Sequence, residues 1–188
     1  SIMKFKISER TRNAIMIRME EYEKETHVPE AIRQLMLYMS IILALTEKYS
    51  AVVMNPPYMS DANMNNRLGQ YVRDTYTIGK SDMYSTFMGV AMQHRLQKGK
   101  MGLVTMESWM FISSFESLRL EFIDKYTFES LSHFDWHIMH IAFGTVAFVV
   151  SNMKSNGHIG TYSYLFRDEM DWEKDIPKTF PSTSNGRF

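Results

Sequence analysis

Four consecutive residues, Asn55-Pro56-Pro57-Tyr58, combine groups able to orient an amino group for alkylation. An amino group on an aromatic ring, as at adenine N6, has its lone pair delocalised into the ring and is a poor nucleophile. Two acceptors, the Asn55 side-chain oxygen and the Pro56 backbone carbonyl, can take its two N–H donors. The lone pair then turns out of the ring plane towards an electrophilic carbon, and positive charge developing on nitrogen is stabilised. Proline suits this task because its φ is fixed and its carbonyl has no competing N–H beside it. Tyr58 supplies a ring for stacking a base taken out of a duplex, as base-modifying enzymes require. The plainer alternative is a rigid Pro-Pro turn ending a strand, with Tyr58 as ordinary packing. Ordinary residue frequencies produce Asn-Pro-Pro-aromatic in roughly one chain in a thousand of this length.

The elements that must hold this turn are visible around it. Ala51-Val52-Val53-Met54 reads as a short buried strand emptying into the loop. Ahead of it, 9–25 has the spacing of an amphipathic helix. Pro29 suits the first turn of a second helix, running to about Lys48 and apolar enough to be buried on most sides. After the turn, 61–76 is a polar loop containing a helix. Ser81 can cap a helix through about Gln97 that carries Tyr84, Phe87, Met88 and Ala91 inward. Lys98-Gly99-Lys100 is expected to turn the chain into a second strand, Met101 to Met106. Ser113-Ser114-Phe115-Glu116 has the pattern of a capping box for a helix to about Tyr126. Strands follow at Phe128–Phe134, Thr145–Val150 and Ile159–Phe166, and Asn156-Gly157 suggests a hairpin joining the last two.

This order predicts an α/β fold: a Rossmann-like sheet with helices on its faces and an antiparallel hairpin edge, preceded by N-terminal helices. Ligands gather at the carboxyl ends of strands in such sheets, so the loops after Met54 and Met106 are the ones of interest. The expected organisation is a helical segment over 1–48, the sheet domain over 49–170, and a tail over 171–188.

The 188 residues hold 21 basic and 21 acidic side chains and no cysteine. Disulfides, thiolate metal sites and cysteine nucleophiles are therefore excluded. The charge is unevenly spread: about +1 over 1–50, +2 over 51–110 and −3 over 111–188. That lacks the basic footprint of a free-standing nucleic-acid binder. The longest apolar run, Leu35 to Leu45, is shorter than the about 20 residues that span a bilayer, so no membrane association is expected. The 17 methionines read as flexible core filler.

The tetrapeptide and its surroundings resemble the amino-type, N6-adenine-specific DNA methyltransferases in which the cofactor motif precedes Asn-Pro-Pro-Tyr. The likeness covers about residues 47–166. It runs through Lys48 to Met59, Lys80-Ser81-Asp82-Met83-Tyr84-Ser85-Thr86-Phe87, Gly102 to Phe111, Phe115-Glu116-Ser117-Leu118-Arg119 and Thr145 to Val150. Within the class, Ser108-Trp109-Met110-Phe111 and Ser113-Ser114-Phe115-Glu116 are most similar to the phage-defence methyltransferases of BREX systems.

The resemblance implies S-adenosylmethionine as methyl donor, double-stranded DNA as partner and a prokaryotic cytoplasmic setting. It gives Asn55, Pro56, Pro57 and Tyr58 the catalytic positions, with Tyr58 also stacking the base. It places Phe87 against the cofactor's adenine and makes Trp136, in the loop after the strand holding His133, the candidate for a second aromatic jaw.

The chain also departs from the class. The family's cofactor site needs a glycine-rich turn after the first strand, and no glycine precedes Gly69. Nor does Gly157-His158-Ile159-Gly160 serve, since it falls in the expected hairpin. The expectation is a catalytic half-site without its N-terminal cofactor half or a C-terminal recognition domain, inactive by itself. The competing reading is a non-catalytic or split subunit that docks a partner.

Other residues have blander readings. His133, His137 and His140 share a helical spacing that suits a metal, but they fall where the class needs none, and no metal is expected. Glu107 is more simply a solvent-facing or capping carboxylate than a base. Arg95, Lys98 and Lys100 read as a solvated helix end. Tyr162, Tyr164 and Phe166 read as one face of a strand.

Overall fold

The computed structural model describes residues 7–174 and 176–179, without the side chains of 93–97, 139 and 176. It has two compact units, which divide between Lys48 and Tyr49. In the first, α1 (Glu9–Glu23) starts at Ser8, whose side chain accepts the Thr11 N–H at 3.1 Å. A second helix, α2 (Glu30–Thr46), follows Pro29. The two are joined by Arg12, which donates to Thr46 Oγ1 at 2.9 Å and pairs with Glu47. The expected burial of α2 is not found: none of its residues is buried, and Leu35, Leu37, Tyr38, Ile41 and Leu45 are exposed. Apolar composition marks a surface that favours burial without showing what covers it.

The second unit is built on a five-stranded sheet in the order β1-β2-β4-β3-β5. Its strands are β1 (Tyr49–Met54), β2 (Arg95–Met106), β3 (Thr127–Phe134), β4 (Thr145–Ser151) and β5 (Thr161–Leu165). β1 and β2 pair in parallel, as do β3 and β5, while β4 runs antiparallel between β2 and β3. The intervening helices are α3 (Asn66–Thr75), α4 (Met83–His94), the single turn α5 (Ser108–Phe111) and α6 (Glu116–Lys125). Two short strands, β6 (Met170–Asp171) and β7 (Ile176–Pro177), pair beyond the main sheet.

The core joins α4, α5 and α6 to one face of the sheet. Tyr84, Met88 and Ala91 of α4 and Trp109, Leu118 and Phe122 of α5–α6 cluster with Met101, Leu103, Val146, Phe148 and Val150. The alternation in β4 explains its central place, because every second residue from Val146 to Val150 is fully or almost fully buried. Trp109 sits among Phe122, Phe128 and Phe148, and its Nε1 donates to the buried Thr105 Oγ1 at 3.0 Å.

Several local expectations are corrected. β1, read as a buried strand, lies at the end of the sheet order, and Val53 is 82 % exposed. Strand propensity does not distinguish an edge strand from a central one. Phe87 is 36 % exposed rather than inward. Lys98-Gly99-Lys100 lies within β2 instead of a turn, and the Gly99 carbonyl accepts the Asn152 N–H at 3.0 Å. Ser113 does not cap α6, which follows a 3-10 turn over Ser113–Phe115 with no side-chain cap. Arg119 instead binds the carbonyls of Trp109 and Ile112, at 2.9 and 2.6 Å.

Asn156-Gly157 does turn, with Gly157 at φ 79°, but it joins no hairpin. β4 pairs with β2 and β3, and β5 reaches past them to the far edge of β3. The residues after 179 in the expected tail lie outside those described.

Candidate active site

Because β1, β2, β3 and β5 all point the same way, their carboxyl ends form one rim, shared by the amino end of β4. Asn55, Glu107, Asp135, Gly144 and Phe166 all stand on it. The Asn55–Tyr58 turn leaves the rim at β1, with Asn55 and Pro57 exposed, Pro56 buried and Tyr58 half-buried. The Tyr58 hydroxyl donates to Asn55 Oδ1 at 3.1 Å. A carbonyl oxygen has two lone pairs, so this bond leaves Asn55 able to accept a second donor. Burial raises the Tyr58 hydroxyl above the usual tyrosine range, keeping it a neutral donor.

Two aromatic rings pack on Tyr58 at steep angles. Tyr84 from α4 lies at 6.1 Å and 78°, and Phe143 at 5.6 Å and 79°. Tyr84 is fully buried, and its hydroxyl shares a 2.8 Å hydrogen bond with Ser108 Oγ at the start of α5. Its hydroxyl pKa is pushed up, chiefly by burial. The turn is therefore backed by elements that follow both β1 and β2.

The other candidate residues are spread along the rim. Phe87 lies open on α4. Trp136, 57 % exposed, is in the loop after β3, and its backbone N–H is held by Asp135 Oδ1 at 2.8 Å. The aromatic of that loop that meets Tyr58 is Phe143, which the sequence reading missed. Its signal was present, an aromatic immediately before Gly144 and the β4 run. Its relevance depends on β4 starting beside the end of β2, and this pairing is between distant segments.

The histidines separate. His133 Nε2 pairs with Glu107, so Glu107 is not the solvent-facing carboxylate expected. The His133 ring also meets Tyr164 edge-on, with centroids 4.7 Å apart. His137 and His140 sit in left-handed turns at φ 68° and 55°. Among the described residues, no group of three or more His, Asp or Glu could hold a metal ion. Gly144 lies close beside Glu107: the Glu107 N–H donates to the Gly144 carbonyl at 3.0 Å, and a Cβ at 144 would meet the Glu107 carboxylate, which would have to move. Lys100 pairs with Glu129 at 3.3 Å.

Asp82, at the start of α4, is buried. Its pKa is raised by desolvation, against the opposing hydrogen bonds from the Tyr84, Met59 and Met83 backbone. A raised folded-state pKa means the native state holds the proton more tightly than the unfolded chain. The resulting stabilisation is present below the unfolded value of about 4 and disappears as pH rises through the folded value. Asp82→Asn, which does not ionise, should therefore gain melting temperature relative to the parent as pH rises from about 4 to 7. Thermal unfolding of both proteins at several pH values checks this; a constant difference would contradict it.

The second unit has the α/β fold found in class I S-adenosylmethionine-dependent methyltransferases. A Listeria monocytogenes protein assigned to the class I S-adenosylmethionine-dependent methyltransferases superposes with a TM-score of 0.50 at 9% identity, over 63% of this chain and 37% of that one. The chain belongs to the Eco57I restriction-modification methylase family, which matches residues 3–138.

Among its relatives, the adenine-specific methyltransferase BrxX of Escherichia coli O9:H4 (strain HS) is 33% identical over 144 residues, 77% of this chain. The adenine-specific methyltransferase PglX of Lacticaseibacillus casei (strain Zhang) is 34% identical over 141 residues, 73% of this chain. The match spans 12% of the length of each of these relatives. Among the described residues, no helix is long and apolar enough to cross a membrane.

Proposed function

We propose that the chain is the base-handling part of an N6-adenine DNA methyltransferase of a restriction-modification or phage-defence system, acting on double-stranded DNA in the prokaryotic cytoplasm. The observation that carries this reading is the exposed Asn55 carbonyl at the end of β1, bonded to Tyr58 yet keeping acceptor capacity. An adenine turned out of the duplex gives one N6 hydrogen to Asn55 Oδ1 and the other to the Pro56 carbonyl. Its nitrogen lone pair is thereby freed from the ring. Tyr58 takes one face of the base. Trp136, in the loop after β3, is the candidate for the second jaw, and Phe143 packs edge-on against Tyr58 and braces its ring from the side.

In the complete protein S-adenosylmethionine supplies the methyl group. The residues present do not make up its whole site. Before β1 the described residues are helical, with no strand and glycine-rich turn for the donor's amino-acid and ribose groups, although Phe87 on α4 is open to a ring. The division into a helical segment over 1–48, a catalytic part over 49–170 and a tail over 171–188 belongs to this proposal.

Isothermal titration of S-adenosylmethionine into the 188-residue chain tests it. Absence of binding up to millimolar donor is expected, and micromolar affinity would overturn the incomplete site. The alternative, a docking subunit without catalysis, is favoured only if the chain together with a cofactor-binding half still fails to methylate adenine.

A further inference from the structure

The turn that presents Asn55 and Tyr58 cannot hold itself through N–H donors at Pro56 or Pro57, which have none. Its far end is instead fastened to the start of α4. Asp82 Oδ1 accepts the Met59 N–H and the Tyr84 N–H, both at 3.1 Å. Alongside, the Met83 N–H donates to the Met59 carbonyl at 2.8 Å and the Asp61 N–H to the Ser81 carbonyl at 3.1 Å. One carboxylate oxygen thus joins the residue after Tyr58 to the residue whose ring backs Tyr58.

A helix cap alone does not call for this side chain. Serine caps a helix without placing an ionisable group in a site only 8 % exposed. The longer Asp82 side chain reaches two chain segments through one oxygen, at Met59 and at Tyr84.

We propose that Asp82 is a positioning residue for the base-holding turn: its bridge between Met59 and Tyr84 sets where Asn55 and Tyr58 stand on the rim. This rests on the reading of Asn55–Tyr58 as the adenine site. Asp82 touches neither base nor donor, and acts through the backbone of Met59.

The test separates cap from bridge. In the 188-residue chain, Asp82→Ser keeps an oxygen for the Tyr84 N–H but is too short to hold Met59 as well, whereas Asp82→Asn keeps both bonds. Amide hydrogen exchange should be at least about tenfold faster at Met59 in Asp82→Ser, with Tyr84 little changed, and close to the parent at both positions in Asp82→Asn. Unchanged exchange at Met59 in Asp82→Ser overturns the proposal. Should the serine variant not fold, Asp82→Asn decides: free exchange at Met59 in a folded asparagine variant overturns it, and retained protection supports it.

In the complete enzyme, Asp82→Ser should lower kcat by about 10- to 100-fold, as misplaced reacting groups do, with KM for DNA within about twofold. Asp82→Asn should restore turnover. Asn55→Ala serves as the control: if it keeps normal turnover, the adenine-site reading fails. If its turnover falls while Asp82→Ser turns over normally, only the positioning role fails.

Discussion

Asn55→Ala is expected to cut methyl transfer in the complete enzyme severely while leaving DNA affinity unchanged. The alanine removes the acceptor that draws one N6 hydrogen out of conjugation, and the effect is felt as positive charge builds on nitrogen. Loss of one such preorganised group lowers turnover by about 10²- to 10³-fold. Incorporation of labelled methyl into adenine-containing DNA reads the first quantity, and fluorescence anisotropy with the same DNA reads the second. Tyr58→Ala should behave differently, weakening base capture by about 1–3 kcal/mol through lost stacking. Normal turnover by Asn55→Ala would end the lone-pair argument. Tyr58 also donates to Asn55, so Tyr58→Phe separates the hydroxyl from the ring: it should retain stacking and lose only the bond that holds the asparagine amide in place.

Trp109→Ala is expected to remove about 3–5 kcal/mol of folding stability, the range for emptying a large aromatic site in a core. Trp109 is 4 % exposed and its ring lies 5.2 Å from Phe148 and 5.7 Å from Phe122. Its loss also leaves the fully buried Thr105 hydroxyl without the indole donor, and an orphaned buried polar group adds about 1–3 kcal/mol. Urea unfolding followed by circular dichroism measures the effect. Total stability for a domain is about 5–15 kcal/mol, so much of the folded population is at stake. Trp136→Ala, at an exposed position, should stay within about 0.5 kcal/mol of the parent. A Trp109→Ala midpoint within roughly 0.5 M urea of the parent would show that the aromatic cluster is not what holds α5 and α6 to the sheet.

Much of the scaffold is readable along the chain because its signals are local. The β-branched run ending at Met54, the inward spacing of Tyr84, Met88 and Ala91, and the alternation of Thr145 to Val150 each depend on neighbours only a few residues apart. The same holds for Asn55-Pro56-Pro57-Tyr58, where residue identity alone specifies fixed φ, missing donors and an aromatic face. Family membership is carried by these linear patterns as well.

What local reading misassigned was pairing. Asn156-Gly157 has the chemistry of a turn, and a turn is present, yet β4 enters between β2 and β3 instead of folding back on β5. That single insertion brings Gly144 to Glu107 and carries Phe143 to Tyr58. Phe87 fitted the buried stripe of α4 by spacing, but helical periodicity places the stripe only to within a residue or so, and its exposure was settled by the surface available beneath the helix.

Residue order alone thus determined the chemistry on offer: two acceptors and a ring, held in a stiff turn behind a strand. The tertiary structure decided which groups surround that turn, namely Tyr84, Phe143, Asp82 and the Glu107–His133 pair. These contacts close loops of roughly 20 to 90 residues, and such closure is governed by which strands find one another rather than by any preference of the residues at the ends.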